Sequence, residues 1–262
     1  MKSPILISIL AIAIFSLAAT VPEDTTTEVD FISSEEAGRN RRGVAFNDNT
    51  FPRMFSGPIN KITWMYNWGS DLCGSADRKA GLPIENVPML HSDKADHAGV
   101  WAENVKRCAN YGDGIGIVHV LAMNEPDMCI QNAGGSCMSL DATLSAWRAH
   151  MDPPPQLRRQ NETRLPRRHK PRPQQRRPRL LAQFPQPLLR LQGRPVWITE
   201  FGFSSGQEGN QEDRKGFLKE VMPWLDAQKD VHRYAYQYAG PGFLVNNEGT
   251  GLSSLGQIFV FG

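Results

Sequence analysis

Short runs of β-branched, aromatic and other apolar residues recur along the chain, separated by amphipathic stretches with a helical period. The strand-like runs fall at 43–47, 61–67, 87–90, 117–124, 195–201 and 231–238. Between them, 97–111 sets Val100, Trp101, Val105, Cys108 and Ala109 on one helical face. The stretch 211–228 does the same with Phe217, Leu218, Val221, Trp224 and Leu225, and Pro223 predicts a kink there. A third helical pattern covers 140–151. Strands that alternate with helices predict a parallel sheet and α/β architecture.

Several runs end in polar or aromatic residues, namely Asn47, Asn67, Glu125, Glu200 and Tyr236 or Gln237, as though their C-terminal tips share one site. That is the layout of a (β/α)8 TIM barrel, whose active site lies at the C-terminal rim of its strands. Spacing supports the count but exposes a defect. The gap between the runs that begin at 117 and 195 has room for three βα units of about 25 to 30 residues each. Barrel strands five and six belong inside it, and no strand pattern is visible there.

What fills most of the gap is a segment of different composition. Residues 152–192 hold ten of the arginines, nine of the 19 prolines and seven glutamines, and none of the 23 glycines. Their charge is +9 against −7 for the rest of the chain, so the overall +2 hides two unlike parts. Prolines remove ladder donors and adjacent arginines repel, so two buried strands cannot be built from this segment. It reads as a basic disordered loop, as a linker, or as an artefact of the gene model, translated out of frame or through an intron. The abrupt loss of glycine and acid where two strands are needed favours the last. The sequon Asn161-Glu162-Thr163 lies inside it and carries little weight for that reason. The acidic remainder argues against a nucleic-acid partner.

The N-terminus reads as an address. Lys2 precedes an apolar run at 5–19 that ends Ser16-Leu17-Ala18-Ala19, the pattern of a secretory signal peptide at 1–19. At about 1.5 Å per residue the run falls short of the roughly 30 Å hydrocarbon core, so no membrane anchor is expected in the mature form. Residues 20–42 are rich in Thr, Ser, Glu and Asp and read as a disordered leader closed by Arg41-Arg42, either a dibasic processing site or two solvated arginines at the barrel entrance. The folded domain is expected to run over 43–262. Export fits the four cysteines, compatible with two disulfides. Cys129 and Cys137 bracket a short Gly-rich loop and are the first choice for a pair, whereas Cys108 in its helical pattern reads as a buried free thiol.

The strongest chemical signal is Met123-Asn124-Glu125-Pro126-Asp127 directly after an apolar strand, with Pro195-Val196-Trp197-Ile198-Thr199-Glu200-Phe201-Gly202 second. Each puts a glutamate at the C-terminal tip of a buried strand, a poor place for a carboxylate unless it works or is paired. Glycoside cleavage needs such a pair: one carboxyl group protonates the leaving oxygen, and the other attacks the anomeric carbon or activates water. No metal or organic cofactor is called for by any residue pattern.

At these residues the chain resembles glycoside hydrolase family 128, the fungal glycosyl hydrolase catalytic core within the clan of (β/α)8 retaining glycosidases. The likeness is carried by Arg42-Gly43-Val44-Ala45-Phe46-Asn47, Trp64-Met65-Tyr66-Asn67-Trp68-Gly69-Ser70, Val87-Pro88-Met89-Leu90, Asn124-Glu125-Pro126-Asp127 and the strand that ends Thr199-Glu200-Phe201-Gly202. Residues 217–226 and the ending Leu252-Ser253-Ser254-Leu255-Gly256 belong to the same pattern. The resemblance implies a glycosidase acting on β-1,3-glucan of the fungal cell wall, with Glu125 as acid/base and Glu200 as nucleophile; the exported chain is expected to be a monomer. Asn124 is then expected to donate to the sugar 2-hydroxyl. Asn67 with Tyr66 and Trp68, and Tyr236 with Tyr238, are expected to stack against sugar rings or else to pack in the core. Where the family carries strands five and six, with a His-Trp-Tyr strand that shapes the cleft, this chain has the Arg/Pro segment. A catalytically inactive glucan-binding wall protein with a broken barrel is the alternative.

Overall fold

Which side chains line the inside of the sheet follows from alternation along each strand. The computed structural model describes residues 10–12, 41–57, 59–71, 84–109, 119–151, 196–202, 210–228 and 231–262. The strands are β1 (Leu10–Ile12), β2 (Arg42–Phe46), β3 (Ile62–Tyr66), β4 (Glu85–Asn86), β5 (Met89–His91), β6 (Leu121–Met123), β7 (Val196–Phe201) and β8 (Val231–Ala239). The helices are α1 (Ala95–Ala109), α2 (Leu140–His150), α3 (Gln211–Ala227) and α4 (Ser254–Phe261). Most of the signal and leader, Cys73, and the whole Arg/Pro segment at 152–192 lie outside the described residues.

One sheet runs β1-β7-β8-β2-β3-β4 and a second pairs β5 with β6, every pair being parallel except β1 with β7. The two sheets are joined through one kinked stretch. Val87 N donates to Met65 O at 2.9 Å on one side of it, and Leu121 N donates to Pro88 O at 2.8 Å on the other. The single third strand expected at 87–90 is thus two short strands, β4 and β5, which hand the ladder from β3 to β6. The parallel order β7-β8-β2-β3-β4/β5-β6 is the run seven, eight, one, two, three, four of the expected barrel. Three residues of the N-terminal apolar run pair antiparallel with β7.

Alternation sorts the core into an inside and an outside. Ala45, Trp64, Tyr66 and Ala235 turn inward with Trp197 and Leu121. Val44, Phe46, Met65, Tyr234 and Tyr236 turn outward onto α3 and α4, where Phe217, Leu218, Val221 and Phe259 meet them. Gly43 is required by this packing, because a Cβ there would sit 2.1 Å from the Trp64 indole. A separate cluster seats α1 and α2 on β5 and β6 through Trp101, Leu90, Met123 and Ala146. Caps fix the helix starts: Ser139 accepts from Ala142 N, Ser253 from Gly256 N, and Asn210 and Asp213 form a capping box on α3.

Two expectations are corrected. Arg42 is not a solvated processing site: it lies in β2, buried, and donates to Tyr234 Oη (2.9 Å), Phe259 O (2.9 Å) and Gly262 O (2.8 Å), with Asp226 at 3.3 Å. Arg41 likewise donates to Gln228 O at 2.7 Å. The fold therefore begins ahead of 43, because both guanidiniums satisfy carbonyls that end α3 and α4. Cys108 is buried but disulfide-bonded rather than a free thiol.

The floor of the sheet interior holds a buried ionic cluster. Glu85 accepts from His119 N at 2.9 Å and pairs with Arg233 Nη1 at 2.6 Å. The Arg233 guanidinium lies 4.4 Å from the Trp197 ring centroid, and the His119 ring packs against Trp197 at 4.8 Å between centroids. His119 precedes β6 and Trp197 belongs to β7, so this contact bridges the two edges that no described strand joins.

Candidate active site

Strict alternation from Trp197 would turn Glu200 away from the interior. It does not, because β7 carries an extra residue. Ile198 pairs with Tyr234 and Phe201 with Tyr236, so three steps on β7 match two on β8. This bulge flips the parity, sending Phe201 outward onto Phe217 and Phe259 and Glu200 inward. A second register shift, where Val44 and Phe46 face Tyr236 and Ala239, turns Tyr238 inward as well.

Glu200 is held by one of its two oxygens. Its Oε1 accepts from Trp68 Nε1 at 2.7 Å and from Tyr66 Oη at 3.3 Å, while the same hydroxyl reaches Thr199 O at 3.0 Å. Burial pushes the Glu200 carboxyl above its ordinary range, and the Trp68 and Tyr66 donors pull it back down. Burial and the neighbouring Glu200 charge raise the Tyr66 hydroxyl well above its usual value, so it remains a donor.

Glu125 follows β6 with φ 40°, a left-handed conformation unusual for a side-chain-bearing residue and all the more so before a proline. Its carboxyl is half-buried. It is raised first by burial, then by the Glu200 charge, then by Asp127. The two strand-end glutamates therefore share one electrostatic site, and Glu125 is the one that its neighbours' negative charges favour in the protonated form.

The segment beyond Glu125 folds back on Asn124. Asn124 N donates to His91 O at 2.8 Å and Ser136 N to Asn124 O at 2.9 Å; Asn124 Nδ2 donates to Gly134 O at 3.1 Å. The Cys129–Cys137 disulfide closes this loop with its Cα atoms 4.6 Å apart, as the spacing suggested. Gly135 is needed at its closest point, since a Cβ there would lie 2.6 Å from Met128. Asn124 is 4% exposed, and its Oδ1 has no partner.

Of the aromatics expected to stack on sugar, Tyr66 and Tyr236 are corrected. Tyr66 is fully buried, stacked on Trp64, and its hydroxyl donates toward Thr199 O and Glu200 Oε1 on β7. Tyr236 faces outward against Phe201 and Phe259, where burial raises its hydroxyl to about 12. Trp68 and Tyr238 remain half-buried at the interior, Tyr238 against Phe243 with centroids 5.0 Å apart. Asn67 is half-buried and its Oδ1 caps the turn by accepting from Gly69 N at 3.1 Å. Sequence reasoning missed the donor role of Trp68, which no pattern along the chain announces, and His91 at the tip of β5. Among the described residues no cluster of three or more His, Cys, Asp or Glu side chains could hold a metal ion.

Comparison with known proteins fits this geometry. The structure is similar to a curdlan-specific exo-β-1,3-glucanase of family 128 from Blastomyces gilchristii, at 22% identity and TM-score 0.58, with 85% of this chain and 98% of that one covered. It is also similar to a family 128 oligosaccharide-binding protein from Trichoderma gamsii, at 17% identity and TM-score 0.54, covering 84% and 92%. An endo-β-1,3-glucanase from Amycolatopsis mediterranei, whose structure holds laminarihexaose, matches at 18% identity and TM-score 0.52, covering 84% and 98%. No curated protein matches the chain. These likenesses carry the fold, a TIM-barrel-like α/β architecture. The glycosyl hydrolase catalytic core pattern matches residues 43–165 and 182–259, which is most of the chain and includes both ends of the basic segment, and with it the chain belongs to the glycosyl hydrolase catalytic core family.

Proposed function

We propose that this protein is a secreted glycosidase that cleaves β-1,3-glucan of the fungal cell wall with retention of anomeric configuration. The observation that carries the reading is the bulge in β7, which turns Glu200 inward onto two fixed donors and into electrostatic contact with Glu125. In the first step Glu125 gives its proton to the glycosidic oxygen. Glu200 Oε2, the oxygen not engaged by Trp68 and Tyr66, attacks the anomeric carbon to form a glycosyl ester. In the second step the Glu125 carboxylate takes a proton from water, which attacks that carbon and frees Glu200. Asn124, with a second amide hydrogen left after Gly134, binds the 2-hydroxyl, and Trp68 and Tyr238 offer ring surface to the sugar. The reaction needs no metal or organic cofactor, and the mature protein acts as a soluble monomer. A closed (β/α)8 barrel further requires strands five and six, which the basic segment replaces in sequence.

A second reading is favoured by one observation: a protein of similar fold from Trichoderma gamsii is an oligosaccharide-binding protein. On that reading the chain binds glucan without turning it over. The deciding experiment is release of reducing ends from linear β-1,3-glucan by the full chain and by Glu200→Gln. The glycosidase reading expects activity only in the parent; binding to insoluble glucan with no release in either would establish the second reading.

A further inference from the structure

Three strand tips around the site carry a side-chain-bearing residue in the left-handed backbone region: Trp68 beyond β3, His91 at the end of β5 and Glu125 beyond β6, at φ 60°, 54° and 40°. Such residues take up that conformation in only a few per cent of cases, and where they do, the backbone is aiming a side chain. Two of the three have partners described above: Trp68 donates to Glu200, and Glu125 is held protonated in part by the Glu200 charge. His91 has no such partner.

The surroundings of His91 say what it is aimed at. Its ring packs against His97 with centroids 4.7 Å apart, but the Nδ1 of His97 is already engaged by Ser92 Oγ at 2.6 Å. The other ring nitrogen of His91 faces the Gly134 carbonyl, and burial lowers the ring's proton affinity, so it stands neutral. Nδ1 is then a lone pair, and it is buried without a partner. Two more unpaired buried polar atoms lie on the adjoining segments, Asn124 Oδ1 and Ser136 Oγ, and direct backbone hydrogen bonds tie Asn124 to both neighbours. Asn124 is 4% exposed and Ser136 6%. Buried polar atoms are normally paired. Three left unpaired on three contiguous segments beside Glu125, two of them pure acceptors, mark a place to which hydrogen-bond donors arrive with the ligand.

We propose that His91, Asn124 and Ser136 form a hydroxyl-binding cradle for the glucosyl unit next to Glu125, with His91 Nδ1 accepting a sugar hydroxyl. The inference rests on the glucan reading given above. It makes His91 a residue that sets which sugar hydroxyl pattern is accepted beside the acid/base.

The test is isothermal titration of a linear β-1,3-linked glucohexaose into the full chain carrying Glu200→Gln, so that nothing is turned over. Adding His91→Leu or His91→Ala removes one neutral hydrogen bond and weakens binding about three- to tenfold. Adding His91→Asn, whose amide oxygen lies near the Nδ1 position and which tolerates a left-handed backbone, keeps affinity within about twofold. Thermal melts of each variant establish that it is folded. Equal affinity for His91→Leu, His91→Ala and the parent overturns the cradle, as does an equal loss in all three His91 variants. Failure of the Glu200→Gln parent itself to bind the glucohexaose defeats the glucan reading first, and the cradle with it.

Discussion

Trp68→Phe tests the hydrogen bond that holds Glu200. The substitution keeps an aromatic ring at a half-buried position and removes the Nε1–H that Glu200 Oε1 accepts at 2.7 Å, together with part of the indole's ring surface. A hydrogen bond to a charged group contributes about 1.5–3 kcal/mol, and each pKa unit corresponds to about 1.36 kcal/mol. Losing it raises the Glu200 carboxyl further, and the Tyr66 hydroxyl at 3.3 Å remains to take up part of the loss. Burial already holds this carboxyl high and the donors counter it, so removing a donor moves it further up. Catalysis needs Glu200 ionised and Glu125 protonated, so the acid limb of the kcat/KM profile should move to higher pH while the alkaline limb stays. The assay is reducing-end release from linear β-1,3-glucan across a pH series, parent against Trp68→Phe. An unmoved acid limb with activity lowered uniformly would refute the reasoning and return Trp68 to a stacking role alone.

Glu200→Gln should be inactive and yet melt higher than the parent at neutral pH. The folded carboxyl is raised above its unfolded value, so its favourable contribution exists only below the unfolded pKa of about 4.3 and is lost as pH rises through the folded one. The melting gap should therefore close on acidification; a gap that does not change with pH would count against a buried, raised carboxyl. Replacing both Cys129 and Cys137 with Ser frees a loop constrained by roughly 2–3 kcal/mol of chain entropy. Because that loop anchors Asn124 through Gly134 and Ser136, kcat/KM should fall about tenfold or more while circular dichroism stays unchanged, and full activity would show that the loop positions nothing. Arg42→Met removes the donor to Phe259 O, while Gly262 O keeps Lys61 Nζ and Asp226 keeps Tyr234 Oη, a loss of about 2 kcal/mol that lowers the melting temperature by roughly 4–8 °C. A drop of under about 2 °C would mean those bonds are replaced by water at no cost.

The order of strands and the two glutamates could be read from the chain because both rest on local patterns. An apolar run that ends in Asn-Glu-Pro or Thr-Glu-Phe announces a buried strand with a polar tip, and α1, α2 and α3 follow the 3.6-residue period within a few residues of their ends. What decides the chemistry was not local. The bulge that turns Glu200 inward exists only in the pairing of β7 with β8, and simple alternation puts that carboxylate on the wrong face. The same parity argument buries Tyr236 among the helices and brings Tyr238 to the interior, a distinction invisible in the string Tyr236-Gln237-Tyr238. Arg42 looked like half of a processing signal because its partners lie 184 to 220 residues away. The Glu85–His119–Arg233 cluster escaped notice for the same reason. The short helix α4 is apolar nearly all round and carries no clear period, so it read only as part of the family resemblance.

The central claim is that Glu125 and Glu200 act together on β-1,3-glucan through a glycosyl-enzyme. Its most direct test is proton nuclear magnetic resonance of the anomers released by the full chain from a linear β-1,3-glucan, followed from the first turnovers. The account predicts that the β-anomer appears first and equilibrates later by mutarotation, with no product at all from Glu200→Gln. First appearance of the α-anomer, or glucan bound by the parent with nothing released, would contradict it.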